Sequence, residues 1–309
     1  MKEIANNELL SDAIVYENNH KNNEVEKVNK KDLSVEVLPT SITGNTNIEQ
    51  ALNIGLIQEI SSYTTSYTTG AGTENRNDNI ALAAASINNS ICYANGSYWS
   101  FNEVVGDTTP EKGYKEAGTI IDNRYSKSIG GGVCQVATTV FNAVYDSGLE
   151  INTRFNHDLH IASYPVGRDA AITYPYFDLV WTNDLKSDIL VVAECSGYSI
   201  TVKLLGVNPG YTVKTETGKW EEGEKFKQQF VVDPSKEPNS KFVQTNGSDG
   251  KSIIVKRSVY DIYGNLIREK EFKSVYKPKD EIVVLGPGDE ANKLLNEKQA
   301  RMKDETDNW

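Results

Sequence analysis

The chain has 309 residues, 38% of them hydrophobic, and a formal net charge of −11 at pH 7. This length predicts two or three domains with sizeable cores, and the composition excludes an intrinsically disordered protein. The acidic charge disfavours nucleic acid and anionic lipid as partners, because both are themselves negatively charged.

Cysteine and histidine are both scarce in this sequence. The three cysteines, an odd number, argue against a disulfide framework. No pair of them has the C-x-x-C spacing of a zinc site, and there are only three histidines. We therefore expect neither a metal site nor a cofactor.

The N-terminal quarter changes character along its length. Residues 1–32 are polar and predicted to be a poorly ordered leader. Residues 33–37 alternate apolar and polar side chains like a strand that ends at Pro39. Residues 47–60 have the apolar period of a helix, and residues 61–69, rich in Tyr and Thr, are predicted to be a strand.

Two helices are predicted in the middle of the chain. Asn77 and Asp78 offer an N-cap to a helix that continues through Ile87. After a loop-rich region at 94–130, a second amphipathic helix begins near Cys134, and Gly148 is well placed as its left-handed C-cap.

Strands are predicted for the rest of the chain as far as residue 287. Residues 150–205 contain five apolar runs with strand character. Two further strands at 251–262 and 266–276 flank Tyr263-Gly264-Asn265, a hairpin signal. Large apolar residues are sparse there, which predicts a thin β-module, and the tail after it is charged and weakly helical. The fold class we predict is an α+β catalytic domain, with a mixed sheet and helices, plus a small extended all-β C-terminal module.

Cys134 is the residue with the clearest chemical context. It follows three glycines, Gly130 to Gly132, and lies at the predicted N-terminus of a helix. Free N–H groups and the helix dipole stabilise a thiolate there. Glycines can also turn several N–H groups toward one point, as an oxyanion hole requires. The pattern favours a nucleophilic cysteine, although an isolated cysteine is more often a small buried apolar residue.

A cysteine nucleophile needs a base, and two histidines follow it closely. On a strand, His157 and His160 would point to opposite faces, so only one of them could meet Cys134. Asp169 or Asp178 could orient the imidazole as the third member of a triad. Arg154 or Arg168 could bind a substrate carboxylate or stabilise an oxyanion.

Residues 68–205 resemble the VanW domain family, and the resemblance is spread over many short blocks. These blocks are Asn75-Arg76 with Asn79-Ile80, Ser100-Phe101-Asn102 with Gly106, Gly113-Tyr114 with Ala117, Gly130 to Gln135 with Thr138-Thr139 and Asn142-Ala143, Gly148-Leu149, Arg154, His157, Tyr164-Pro165, Gly167 to Ala170, and Asp178 with Asn183. Residues 33–62 look like the end of a peptidoglycan-binding-type domain, and residues 211–286 resemble a G-five domain of Gram-positive surface proteins.

The resemblance implies a peptidoglycan L,D-transpeptidase that forms 3-3 cross-links between diaminopimelate stems through a thioester on Cys134. It favours His157 over His160 as the base, because only His157 matches the family position. With Asp169 as the expected third member, the predicted oxyanion and substrate residues are Gly131, Gly132, Gln135, Arg154, Arg168 and Tyr164. Two rival functions remain: a cysteine L,D-carboxypeptidase or endopeptidase, and a non-catalytic wall-binding protein.

Five segments are predicted from these observations: a leader at 1–32, a peptidoglycan-binding-type remnant at 33–66, a VanW catalytic domain at 67–208, a G-five-like module at 209–287 and a charged tail at 288–309. The implied partners are peptidoglycan stem peptides and glycan strands. The sequence shows no membrane span or signal, which taken literally predicts a cytoplasmic protein. The implied domains instead favour an extracellular wall or surface protein whose N-terminal anchor has been removed, with the membrane contacted only through that anchor.

Overall fold

The computed structural model of the protein describes residues 57–121 and 124–306. The helices are α1 Glu74–Ile87, α2 Phe101–Val105, α3 Val133–Ser147 and α4 Asp289–Thr306, with a 3-10 turn at Pro110–Lys112. The strands of the first two-thirds are β1 Gln58–Ser66, β2 Ser90–Cys92, β3 Ser97–Ser100, β4 Glu116–Ile121, β5 Arg124–Ile129, β6 Glu150–Thr153, β7 Val180–Asn183, β8 Ile189–Ser196 and β9 Ser199–Gly206. The last third contains β10 Thr212–Thr217, β11 Glu221–Glu222, β12 Gln228–Val232, β13 Lys241–Thr245, β14 Lys251–Tyr260, β15 Leu266–Tyr276 and β16 Glu281–Leu285.

An antiparallel sheet of order β1-β9-β8-β2 forms the frame of the first domain. Helix α3 packs against β1 and β9, and helix α1 packs against β8. Almost every side chain of α3 is buried, which is typical of a helix at the centre of a domain rather than on its surface. The position of the N-terminus of α3 is therefore fixed by the packing of the helix in the core.

A small sheet of order β3-β7-β6 and the β4-β5 hairpin complete this domain. Trp181 of β7 is fully buried, and its ring lies 5.8 Å from that of Trp99 on β3. Burial of a large apolar side chain contributes about 1.5–3 kcal/mol, so this pair anchors the small sheet to the common core.

The C-terminal module consists of two thin sheets. Strand β14 pairs with β10, β11 and β15, while β16 pairs with β12 and β13. The module shares a core with the first domain, because Phe272 of β15 lies 5.6 Å from Phe141 and 5.5 Å from Tyr145 of α3, centroid to centroid. The strand that carries Phe272 is thereby fixed against the central helix.

The predicted architecture of helices and a thin β-module is compatible with the structure, which is mainly β. The strand pairs described within residues 57–206 are all antiparallel, whereas a mixed sheet was expected. Short connections such as the turn between β8 and β9 favour this arrangement, because parallel strands need long crossovers. A parallel pair, β12 with β16, occurs instead in the C-terminal module.

Three local predictions differ from the structure. The predicted helix at 47–60 lies partly outside the described residues, and its last residues belong to strand β1. Helix α1 begins at Glu74 after Thr73, earlier than the predicted cap at Asn77. Residues 94–130, predicted as loop-rich, contain β3, α2, β4 and β5. The predicted strand at 33–37 lies outside the described residues.

The predicted boundary between residues 66 and 67 separates two strands of one sheet. Strand β1 ends at Ser66, which the predicted boundary assigns to the preceding segment, yet β1 pairs along its length with β9. The hairpin at 251–276 forms as predicted, with Gly264 at φ 82° in the turn. Helix α3 also ends as predicted, at Gly148 in the left-handed conformation.

Candidate active site

The glycine run before α3 sets the position of Cys134. Gly132 is the N-cap residue of α3 at φ 114°, a conformation that side-chain-bearing residues rarely adopt. A Cβ atom on Gly131 would lie 2.6 Å from the carbonyl oxygen of Ala117, so the chain passes too close there for any other residue. Cys134 is consequently the second residue of α3, as the sequence predicted.

The backbone amides of this turn divide into two groups. Those of Gly130, Gly131, Val133 and Gln135 each donate to a backbone carbonyl. Within the described part of the chain, the amides of Gly132 and Cys134 donate to no backbone acceptor. These two N–H groups, beside the sulfur at a helix N-terminus, are therefore the ones available to an incoming oxyanion.

The Cys134 thiol lies between α3 and the loop that follows β6. Its sulfur accepts a hydrogen bond from the Ile172 amide at 3.4 Å. Burial would raise the pKa of this thiol, but the hydrogen bond and charge of the His157 imidazole outweigh burial and lower the pKa. Cys134 is thus the thiol in the described chain whose surroundings favour the thiolate.

His157 lies on the same loop and is 9% exposed. Its Nδ1 atom is 2.7 Å from Oδ2 of Asp169, and its backbone N–H donates to that same oxygen at 2.7 Å. Burial opposes the imidazolium, yet the hydrogen bonds with Asp169 and Cys134 raise the pKa of His157 to about 9. At neutral pH these shifts favour a thiolate–imidazolium pair.

Asp169 is 2% exposed and carries the charge that balances this imidazolium. Its Oδ1 atom accepts hydrogen bonds from Arg154 Nη2 at 2.9 Å and from the Tyr276 hydroxyl at 2.6 Å. Burial would raise the pKa of this carboxyl, but the hydrogen bond with His157 and the charge of Arg154 lower it to about 2. Asp169 is therefore ionised throughout the physiological range.

The two aspartates left open by the sequence lie in different places. Asp169 contacts His157, whereas Asp178 accepts hydrogen bonds from Ser100 Oγ at 2.5 Å and from the Asn102 amide at 2.9 Å. Asp178 thus stabilises the start of α2. The geometry brings together Cys134, His157 and Asp169.

The two arginines predicted to bind substrate face protein partners. Arg154 contacts Asp169 and, through Nη1, the Ser274 hydroxyl at 2.9 Å. Arg168 pairs with Asp146 at 2.6 Å, and its guanidinium carbon lies 3.9 Å from the centroid of the Tyr145 ring. Arg154 stabilises the Asp169 carboxylate at the oxygen that faces away from His157, and Arg168 packs on α3.

Gln135 and Tyr164 are close to Cys134 but differ in what they offer. The Gln135 side chain is buried, where its Oε1 accepts from Arg76 Nη2 at 2.7 Å and its Nε2 donates to the Ser66 carbonyl at 2.9 Å. The Tyr164 ring centroid lies 6.0 Å from that of His157. Burial, and then the negative charge of Cys134, raise the pKa of the Tyr164 hydroxyl, which keeps it a hydrogen-bond donor.

His160 lies outside this arrangement. Its ring packs edge-on against Trp220 and Tyr276, with centroids 5.2 Å away in each case. Burial and then the nearby Lys251 charge lower its pKa, which favours the neutral ring. His157 is therefore the histidine that meets Cys134.

The sequence interpretation missed Ile172 and Tyr276. Ile172 contributes only a backbone amide, and Tyr276 comes from the C-terminal module, so no local motif marks either of them. In the described chain no group of three or more His, Cys, Asp and Glu side chains has the arrangement of a metal site. Chemically, the thiol, imidazole and carboxylate of the three central residues have the residue types and order of a nucleophile, a base and an orienting carboxylate.

Comparison with known proteins agrees with this part of the chain. A family model described as "VanW like protein" matches residues 75–205. We call residues 75–205 the VanW-like domain. The predicted family resemblance is confirmed, and the VanW-like domain contains Cys134, His157 and Asp169.

A relative of the VanW-like domain is the uncharacterized protein YoaR of Bacillus subtilis (strain 168). It is 37% identical over 147 residues, which are 48% of this chain and 48% of the relative. The matched region thus spans about half the length of that relative. The family match supports a cell-wall-associated protein.

Two solved structures of G5 domains are also similar to parts of this chain. One, HP0197-G5, is 21% identical with a TM-score of 0.14 and covers 25% of this chain and 97% of its own. The other, the G5 domain of an IgA1 protease, is 18% identical with a TM-score of 0.19 and covers 26% of this chain and 92% of its own. Separately, no helix in the described ranges is long and apolar enough to cross a membrane.

Proposed function

We propose that this protein is a cysteine acyltransferase of the cell wall, a peptidoglycan L,D-transpeptidase that forms 3-3 cross-links. The observation that carries the proposal is the contact of His157 with Asp169 at 2.7 Å beside the Cys134 thiol, at the N-terminus of α3. A thiolate held by an oriented imidazolium is the activated nucleophile that acyl transfer requires.

The first step is acylation of Cys134. The thiolate attacks the carbonyl carbon of the third residue of a donor stem, and the tetrahedral oxyanion accepts hydrogen bonds from the Gly132 and Cys134 amides. The imidazolium of His157 gives its proton to the leaving nitrogen as the C–N bond breaks. Terminal D-Ala departs as a neutral amine, and the donor remains as a thioester.

The second step transfers the acyl group to an amine. The side-chain amine of diaminopimelate on an acceptor stem attacks the thioester, and neutral His157 takes the proton from that nitrogen. The C–S bond breaks and regenerates the thiolate. The energy of the original amide is retained in the thioester, so the exchange needs no nucleotide.

The environment of Asp169 supports the switch of His157 between acid and base. Its carboxylate faces Nδ1 and stabilises the imidazolium, which leaves Nε2 as the nitrogen that exchanges protons. The pKa of Asp169, near 2, means that the carboxylate stays charged through both steps.

The C-terminal module and the location complete the proposal. We propose a G-five-like module at 209–287 that binds wall glycan, and a protein that works outside the cell. Peptidoglycan stems and glycan strands are the proposed partners.

The test is product analysis with purified protein and disaccharide-tetrapeptide as donor and acceptor. Mass spectrometry is expected to find 3-3 dimers and released D-Ala. Intact-mass measurement is expected to find protein heavier by the tripeptide-bearing fragment less one water, as a thioester requires. Both signals are expected to disappear in Cys134→Ala.

Cys195→Ala is the matched control, because Cys195 is another cysteine of the same domain, exposed on β8. It should retain both signals. Tripeptides without dimers would favour the carboxypeptidase alternative. Dimers formed by Cys134→Ala at the wild-type rate would contradict the role of Cys134 as nucleophile. Wild-type protein that forms no acyl-enzyme, dimers or tripeptides would contradict the enzyme hypothesis and leave a wall-binding role.

A further inference from the structure

The loop that carries His157 lies alongside the end of β15 in the C-terminal module. Asn156 Nδ2 donates to the Val275 carbonyl at 2.8 Å, and the Lys277 amide donates to the Asp158 carbonyl at 2.7 Å. The residues on both sides of His157 are therefore bonded to the module. Since the loop has no regular secondary structure of its own, these bonds fix its path.

Tyr276, the last residue of β15, extends this contact into the site. The residue is 3% exposed, and its hydroxyl donates to Asp169 Oδ1 at 2.6 Å. Burial, followed by the charge of Asp169, raises the pKa of the Tyr276 hydroxyl, so it remains protonated and a donor.

The two oxygens of Asp169 have separate partners. Oδ2 accepts from the His157 ring and backbone, while Oδ1 accepts from Arg154 and Tyr276. A carboxylate bound at Oδ1 from two directions cannot rotate about its Cβ–Cγ bond without breaking charge-assisted hydrogen bonds. One of the two donors that fix its orientation toward Nδ1 therefore comes from outside the VanW-like domain.

We propose that Tyr276 is a positioning residue for the Cys134–His157–Asp169 site, so that the C-terminal module completes the active site in addition to any binding of its own. This inference rests on the proposed function for its catalytic meaning. One part of the inference does not depend on that function: Tyr276 affects the protonation of the Cys134 thiol through Asp169 and His157. This effect can be measured without any enzymatic reaction.

The test is the pH dependence of Cys134 alkylation by iodoacetamide in the full chain. Peptide mass mapping separates Cys134 from Cys92 and Cys195. In Tyr276→Phe the ring and its packing remain, but Asp169 loses one donor and holds the imidazolium less firmly. We expect the midpoint of the alkylation profile to move to higher pH, and the rate at neutral pH to fall on the order of tenfold, the low end of the effect of losing the outer-shell partner of a metal-bound histidine.

Tyr263→Phe is the matched control. Tyr263 belongs to the same module, and its side chain is 82% exposed in the β14-β15 turn. The same loss of a hydroxyl there should leave the Cys134 profile unchanged. Thermal unfolding checks that both variants are folded at the temperature of the measurement.

A folded Tyr276→Phe protein with the profile of wild type and of Tyr263→Phe overturns the inference, and so does a midpoint that moves to lower pH. Should the Phe variant not fold, Tyr276→His is measured instead, because its shorter ring does not reach the position of the tyrosine hydroxyl and so also removes the donor to Asp169 Oδ1. An elevated midpoint in the folded His variant supports the inference, and a midpoint near that of wild type counts against it. The proposed function fails separately, if wild-type protein forms neither acyl-enzyme nor dimers.

Discussion

His157 Nδ1 lies 2.7 Å from Asp169 Oδ2, and that same oxygen also accepts the backbone N–H of His157. The aspartate thus fixes both the ring and the main chain of the histidine. This double contact determines the tautomer in which Nε2 exchanges protons with the thiol and the substrate.

Asp169→Asn should abolish most of the activity while leaving the site assembled. An amide cannot stabilise the imidazolium and favours the wrong tautomer, so we expect dimer formation to fall about 10⁴-fold, as in serine-type triads. The measurement is the initial rate of dimer formation by mass spectrometry. Asp178→Asn is the control, since Asp178 contacts α2, and a fall of the same size there would contradict the assigned role of Asp169.

Acid should destabilise the protein through Asp169. Its folded pKa of about 2 lies below the unfolded value of 3.8. The ionised carboxylate therefore contributes stability that is present above pH 3.8 and is lost as the pH falls through about 2. The shift corresponds to about 2 kcal/mol.

Denaturant unfolding of wild type and Asp169→Asn across pH 2–5 tests this linkage. The wild-type free energy of unfolding should fall more steeply with acid than that of the variant. Parallel curves for the two proteins would contradict the linkage.

The three cysteines should differ in reactivity toward iodoacetamide at pH 7. His157 lowers the pKa of Cys134, whereas partial desolvation of its sulfur raises the pKa of Cys195, and burial raises that of Cys92 to about 12. We expect Cys134 to be alkylated first and Cys92 last, by peptide mass mapping. His157→Gln should remove the advantage of Cys134 over Cys195; an unchanged order would show that the imidazole does not activate the thiol.

Gly131→Ala should prevent formation of the turn before α3. The new Cβ would lie 2.6 Å from the Ala117 carbonyl oxygen and 2.7 Å from that of Gly118, and these are backbone atoms that cannot move aside as a flexible side chain can. We expect the free energy of unfolding to fall by at least the roughly 1–3 kcal/mol that is typical of overpacking. Gly118→Ala is the control, because its Cβ would meet nothing within 4 Å. In thermal unfolding, the melting temperature of Gly131→Ala should be clearly lower than that of Gly118→Ala. Equal melting temperatures would contradict the predicted clash.

Phe272→Ala should destabilise both domains together. Phe272 belongs to the module but packs in the core against Phe141 and Tyr145, so its removal leaves a cavity at the junction, costing about 3–5 kcal/mol. Calorimetry should find a single unfolding transition, at a lower temperature than in the wild type. Phe242→Ala, at a side chain 43% exposed in the same module, should have little effect. Two separate transitions in wild type would contradict a shared core.

The sequence predicted local structure correctly where that structure depends only on neighbouring residues. The glycine run, Cys134 and the Gly148 cap predicted the position of α3 because backbone freedom and helix ends depend on neighbouring residues. The hairpin at Gly264 was predicted for the same reason. Residues 58–60 were misassigned to a helix, because the partner that makes them a strand, β9, is far away in the sequence.

The sequence by itself determined that Cys134 stands at a helix N-terminus after glycines, and that one of two nearby histidines could serve it. The family resemblance already favoured His157 over His160, and Asp169 was the expected third member, but only the tertiary structure shows that His157 and Asp169 contact each other while His160 and Asp178 lie elsewhere. These residues lie in an irregular loop or at its ends, where no periodicity indicates the direction of a side chain. The contact of Tyr276 with Asp169, 107 residues apart, depends on how β15 docks against that loop, and packing over such a separation leaves no local trace in the sequence.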